Sequence, residues 1–166
     1  MKQYEFWFVA GTQPLYGPEV IDEVNRHAFI MVESLDANPL VPCRVVYKGT
    51  ASSPDNITAF ITAANSDENC AGIITWMHTF SPSKMWIAGL SRLQKPWLHF
   101  NTQFNRSIPW ESIDMDFMNL NQSAHGDREH GYIGARMRIP RKVIAGYWED
   151  EETVERIGHW MRSAAG

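Results

Sequence analysis

Tyr4-Glu5-Phe6-Trp7-Phe8-Val9-Ala10 is an apolar run of strand length that stops at Gly11, and Cys70-Ala71-Gly72-Ile73-Ile74-Thr75-Trp76-Met77 is a second such run. Neither alternates between apolar and polar residues, as a strand with one wet face must. Near-continuous apolar strands are buried on both faces, which occurs where helices cover a parallel sheet from each side.

The flanking sequence supplies those helices. Ile21, Val24, Ala28, Met31 and Leu35 recur at helical spacing, which predicts an amphipathic helix from about Pro18 to Leu35. Pro42 to Lys48 reads as a second strand. Ser53-Pro54 is a helix start, with a hydroxyl to cap and a proline where a missing N–H matters least, and Ile57, Phe60, Ile61 and Ala64 form that helix's inner face. Ser81-Pro82 repeats the signal and opens a helix through Met85, Trp86 or Ile87, Leu90 and Leu93. Pro96 to Phe100 and Lys142 to Tyr147 are the fourth and fifth strands. Asp150 begins a last helix with the stripe Val154, Ile157, Met161 and Ala164. Strands and helices in alternation predict an α/β fold: a three-layer, doubly wound, five-stranded parallel sheet, flavodoxin/Rossmann-like, in the order 2-1-3-4-5. No repeat, linker or low-complexity tract divides the chain, so residues 1–166 are expected to form a single α/β domain.

In such sheets ligands bind beyond the carboxyl ends of the strands, where the strand order reverses. That rule selects the loops Gly11 to Gly17, His78 to Ser81 and Asn101 to Asn105, with the region from Asn119 to His125 on the same rim. The first loop lacks GxGxxG and the Gly-Lys-Ser/Thr of a phosphate loop, which argues against a nucleotide. Gln13 there has a side chain for hydrogen-bonding a ligand, and Leu15 and Tyr16 are suited to a pocket wall. A tight turn into a helix explains the loop equally well. Phe80 reads either as an apolar wall or as packing beneath its loop. His78 ends a buried strand on the rim, while His27, His99 and His159 read as surface or helix-packing residues.

The stretch Met115 to Gly131 crowds amide, imidazole, guanidinium and carboxylate side chains into a glycine-punctuated segment, a density of hydrogen-bonding groups that suits a polyhydroxylated ligand. On a helix, His125 and Glu129 share a face, as metal ligands must, whereas His130 points elsewhere. A complete metal site within the chain is not expected. Asp114 and Asp116 read as helix caps before acid/base groups.

The net charge of −4 argues against a nucleic-acid partner. No apolar run approaches the roughly 20 residues that cross a bilayer, so no membrane association is expected. The N-terminus has no signal-peptide pattern, which makes a cytoplasmic location the expectation. Cys43 and Cys70 form no CxxC and read as free thiols buried near strand starts. Seven tryptophans and eight phenylalanines exceed ordinary core needs and also suit a large interface.

Several strings carry a family likeness. Glu5-Phe6-Trp7-Phe8-Val9, Gly11-Thr12-Gln13 and Leu15-Tyr16-Gly17 resemble the opening of bacterial L-arabinose isomerases. So do Cys70-Ala71-Gly72, Trp76-Met77-His78-Thr79-Phe80-Ser81-Pro82, Lys84-Met85-Trp86-Ile87, Thr102-Gln103-Phe104-Asn105, Pro109-Trp110, the stretch through Arg128-Glu129, and Trp160-Met161-Arg162. The likeness covers nearly the whole chain but only the N-terminal domain of the family's longer protein. It implies interconversion of L-arabinose and L-ribulose with a divalent metal, usually Mn2+, whose ligands lie in later domains and not in this chain. It implies a homo-oligomer in which this domain covers a neighbour's active site, or a separate chain that carries the metal site. The sugar contacts implied are Gln13, Leu15, Phe80, Gln122 and His125, for L-arabinose and also D-galactose. Gln122 and His125 would hydrogen-bond hydroxyls, and Leu15 and Phe80 would shape the pocket. Pro14 stands where the family often has histidine, and His130 where it usually has phenylalanine. The alternative is a stand-alone sugar-binding or assembly module without catalysis.

Overall fold

A computed structural model describes residues 4–80 and 82–166. The strands β1 (Glu5–Gly11), β2 (Arg44–Ala51), β3 (Cys70–Met77), β4 (Trp97–Asn101) and β5 (Lys142–Ala145) pair in parallel in the order β2-β1-β3-β4-β5. This is the expected doubly wound order, and it puts the switch point between β1 and β3. The helices are α1 (Gly17–Asp36), α2 (Pro54–Ser66), a one-turn α3 (Ile87–Leu90), α4 (Met115–Leu120), α5 (Ser123–Arg136) and α6 (Glu151–Ala165).

The continuous apolar run of β1 is explained by what lies on each side. Phe6, Phe8 and Ala10 point to one face, where Val24, Ala28, Met31 and Leu35 of α1 and Val154, Ile157 and Met161 of α6 close over them. Trp7 and Val9 point to the other, against Ile57, Ile61 and Ala64 of α2 with Trp86 and Leu90. Alternation is present in geometry but invisible in sequence, because both faces are dry. Each fully buried large side chain contributes roughly 1.5–3 kcal/mol.

Local signals account for the element ends. Ser53 Oγ accepts the Asn56 N–H at 3.2 Å, with Pro54 in the first turn of α2. Asp114 accepts the Phe117 N–H at 2.8 Å and so caps α4. β2 begins at Arg44, two residues after the expected Pro42, and runs on to Ala51. It holds one extra residue opposite β1, since Phe8 pairs with Tyr47 but Ala10 with Thr50, and Gly49 takes φ +101° there, a conformation that favours glycine. β5 stops at Ala145, short of Tyr147. The third expected helix is shorter than its apolar spacing suggested: a 3-10 turn, Ser83–Trp86, leads into α3, which ends at Leu90. Trp86 is buried and Ile87 exposed, which settles that alternative. Ser81, its expected cap, lies outside the described residues. Cys70 is buried and Cys43 only half-buried, and both are free thiols. Among the described residues no helix is long and apolar enough to cross a membrane.

Candidate functional site

Beyond the carboxyl ends of β1 and β3, two loops and the start of α5 are tied into one rim. Thr12 and Thr79 share a buried hydroxyl hydrogen bond at 3.0 Å. One residue further along each loop, Gln13 Nε2 donates to the Phe80 carbonyl at 2.7 Å. Pro14 fits without strain, because it opens the 3-10 turn Pro14–Tyr16. Leu15 sits on that turn with 81 % of its surface exposed. Across the rim the His125 ring faces Phe80, with centroids 4.1 Å apart, and its Nδ1 lies 3.9 Å from Glu129 Oε1 one turn along α5.

The structure therefore gathers Gln13, Phe80 and His125, with Leu15 exposed on the adjoining turn. Gln122 belongs to the same helix start, where the His125 N–H donates to its carbonyl at 3.0 Å. It also borders a cavity of about 270 Å³, whose other walls include Gln103, Asn105, Ile108, Phe117 and Met118. Uncharged amide groups with an aromatic and apolar floor are a surface chemistry that receives polyols.

Beneath the rim lies a layer of buried histidines. His78 stacks on Trp76 at 4.3 Å, and its Nε2 is 2.7 Å from Nδ1 of His27, which stacks on Phe104 at 3.6 Å. Burial pushes the His78 imidazole down to about 3, and the neighbouring His27 adds to that. Burial likewise takes His27 to about 4, against the opposing pull of Glu23. Under α5, Asp127 Oδ1 lies 2.9 Å from His99 Nε2 and accepts the Met77 N–H at 3.2 Å. Burial raises the Asp127 carboxyl well above the usual range, and backbone amides only partly oppose it. Burial takes His99 to about 4 and His130 well below its ordinary value, with Arg141 acting in the same direction on both.

The reading of His99 as a surface or helix-packing residue is corrected: it sits on β4, buried and bonded to a carboxyl. His27 does pack from its helix, but into a buried polar contact. His130 is equally buried, with Nε2 3.0 Å from the Thr75 hydroxyl, which also accepts the Trp97 indole N–H at 2.8 Å. Thr75→Val keeps the shape and deletes that shared hydroxyl. It is expected to destabilise the fold by about 3 kcal/mol, read as a lower urea midpoint with unchanged slope.

Sequence reading missed Asp127, Thr12 and Thr79. Asp127 had a signal in the spacing Ser123, Gly126, Asp127, His130 and Gly134, which is the inward stripe of α5 and contains no large apolar residue. Among the described residues no three His, Cys, Asp or Glu side chains come together as a metal site, and His125 with Glu129 supplies only two donors.

The family model for the L-arabinose isomerase N-terminal domain matches residues 1–166. A protein of Shouchella clausii named L-arabinose isomerase is 61 % identical over 161 residues, which is 97 % of this chain and 33 % of the relative. Proteins of the same name from Geobacillus stearothermophilus and Phocaeicola vulgatus are 57 % and 59 % identical over 164 residues, 99 % of this chain and 33 % and 32 % of theirs. The chain thus spans about a third of the length of the curated relatives it matches. On the match of the whole chain, it belongs to the L-arabinose isomerase N-terminal domain family.

Proposed function

We propose that this chain is the N-terminal portion of an L-arabinose isomerase and supplies one wall of its sugar site. In this reading Gln122 and His125 hydrogen-bond sugar hydroxyls, Phe80 and Leu15 shape the pocket, and Gln13 holds the loops that carry them. The observation that supports it best is the rim itself, where Gln13 bonds the Phe80 carbonyl and the Phe80 ring faces His125. An aromatic face beside hydrogen-bonding groups complements a sugar, which offers C–H on one side and hydroxyls on its edge. L-arabinose is the proposed substrate and D-galactose a second one.

Aldose–ketose isomerisation moves a proton or hydride between adjacent carbons and needs the sugar oxygens polarised. The described residues do not gather a donor set that fits Mn2+, so we assign the metal to the part of the relatives that this chain does not span. Assembly as a homo-oligomer belongs to the same reading, in the cytoplasm and without nucleic-acid or membrane partners. A second reading, an assembly module without chemistry, draws support from the exposed Trp110, Met115 and Ile108, with Trp110 76 % exposed.

Calorimetric titration with L-arabinose and ribitol tests the wall. His125→Ala is expected to weaken sugar binding about tenfold. The melting temperature is expected to stay nearly unchanged, since this side chain is 45 % exposed. Wild-type affinity in that variant overturns the assignment. L-ribulose formation by this chain alone overturns the division of labour.

A further inference from the structure

Asp127 is fully buried one turn inside α5, at a position where an apolar residue would serve packing at less desolvation cost. What a carboxyl adds is direction. Its Oδ1 reaches two strands at once, accepting the Met77 N–H at the end of β3 and meeting His99 Nε2 on β4. Around it the helix start is bound to the same strand end. The Gln122 N–H and the Ser123 hydroxyl both donate to the His78 carbonyl, at 3.0 and 3.4 Å, and the Ser83 hydroxyl donates to the Gly126 carbonyl at 3.2 Å. Gln122 takes part in this knot through its N–H, and His125 lies within it in sequence.

We propose that Asp127 is a positioning residue: by clamping the first turn of α5 to β3 and β4 it holds Gln122 and His125 where they meet the sugar. The ligand half of this inference rests on the sugar-wall reading, whereas the clamp is measurable with no ligand present. His99 is the clamp's second jaw, since its ring occupies the gap between α5 and β4 and hands Nε2 to the same oxygen that the Met77 amide uses.

The test compares Asp127→Ala, Asp127→Asn and His99→Phe with the wild-type chain by amide hydrogen exchange and by titration with L-arabinose and ribitol. Asp127→Ala is expected to speed exchange at residues 122–126 about tenfold more than in α6, which a uniform loss of stability would not do. It is also expected to weaken sugar binding about tenfold. Asp127→Asn keeps the acceptor oxygen and is expected to restore both to within about threefold. Exchange that rises equally in α5 and α6, or an Asn variant as impaired as the Ala variant, overturns the clamp. Should Asp127→Ala fail to fold, His99→Phe decides: wild-type exchange at residues 122–126 in that variant overturns the proposal. If the wild-type chain binds neither sugar, the wall reading fails while the exchange data still decide the clamp.

Discussion

Acidification from about pH 7 to about pH 5 is expected to remove a large share of the stability of this chain. Four histidines, His27, His78, His99 and His130, are buried, and each has its pKa pushed down by that burial. In the unfolded chain they return to about 6.5. Between that value and the folded values near 3 to 4, the unfolded state binds more protons, so stability falls as pH falls. His27, His78 and His99 each forfeit about 2 kcal/mol over this interval, and His130 acts in the same direction. Asp127 acts with the opposite sign: its raised carboxyl holds a proton that the unfolded chain has released, so it favours the folded state increasingly as pH falls towards its unfolded value. One carboxyl offsets at most about 3 kcal/mol, the limit for one proton over about two pH units, and the balance is a loss of several kcal/mol, a large share of the stability of an ordinary domain. Thermal melting from pH 8 down to pH 5 measures it. A melting temperature that is flat across that range would show that these rings are not buried neutral. Replacing His78 by Phe, which keeps a planar ring against Trp76, is expected to make the dependence shallower.

The same histidines mark where the sequence was readable and where it was not. β1 and β3 were legible because their apolar runs are long and end in recognisable punctuation, and Ser53-Pro54 announced α2 through a cap that the structure contains. α5 was not legible in this way. Its buried stripe is Ser123, Gly126, Asp127, His130 and Gly134, while Tyr132 on the same helix is 63 % exposed, so a rule that sends apolar residues inward reads its faces the wrong way round. The exchange of roles is physical. α5 approaches the ends of β3 and β4 too closely for large side chains, and polar ones survive there because the strand ends offer them partners. His99 was misread for a related reason: inside a strand buried on both faces a polar residue has no alternation to betray its direction. Among the site residues, rim loops followed from strand order, whereas the pairing of Phe80 with His125 needed the path of α5, which no spacing encodes.

That close approach yields the second large effect, at Gly126. A methyl group built there would overlap the Thr79 carbonyl oxygen and sit 3.1 Å from Met77 Cβ and 3.3 Å from the Met77 carbonyl oxygen. These are backbone atoms and a Cβ fixed to one, so no flexible side chain can swing aside. Gly11 is a useful contrast, since its nearest neighbours are the Met77 sulfur and terminal methyl, the far end of a flexible side chain and not backbone. Gly126→Ala must therefore separate α5 from β3, and this loosens the Ser83 bond to the Gly126 carbonyl and the Asp127 bond to the Met77 amide together. Destabilisation of about 3 kcal/mol is expected, the upper end for overpacking by a single methyl. A domain of this size would melt several degrees lower. Because the displaced turn carries Gln122 and His125, the proposed sugar contacts, sugar affinity is expected to fall along with stability. Gly11→Ala, on the opposite side of the switch point, is expected to lose less of both. Should the two variants melt at the same temperature, the contact between α5 and β3 is softer than the structure draws it, and the rigidity of the proposed sugar wall would have to come from the Thr12–Thr79 and Gln13–Phe80 bonds across the loops instead.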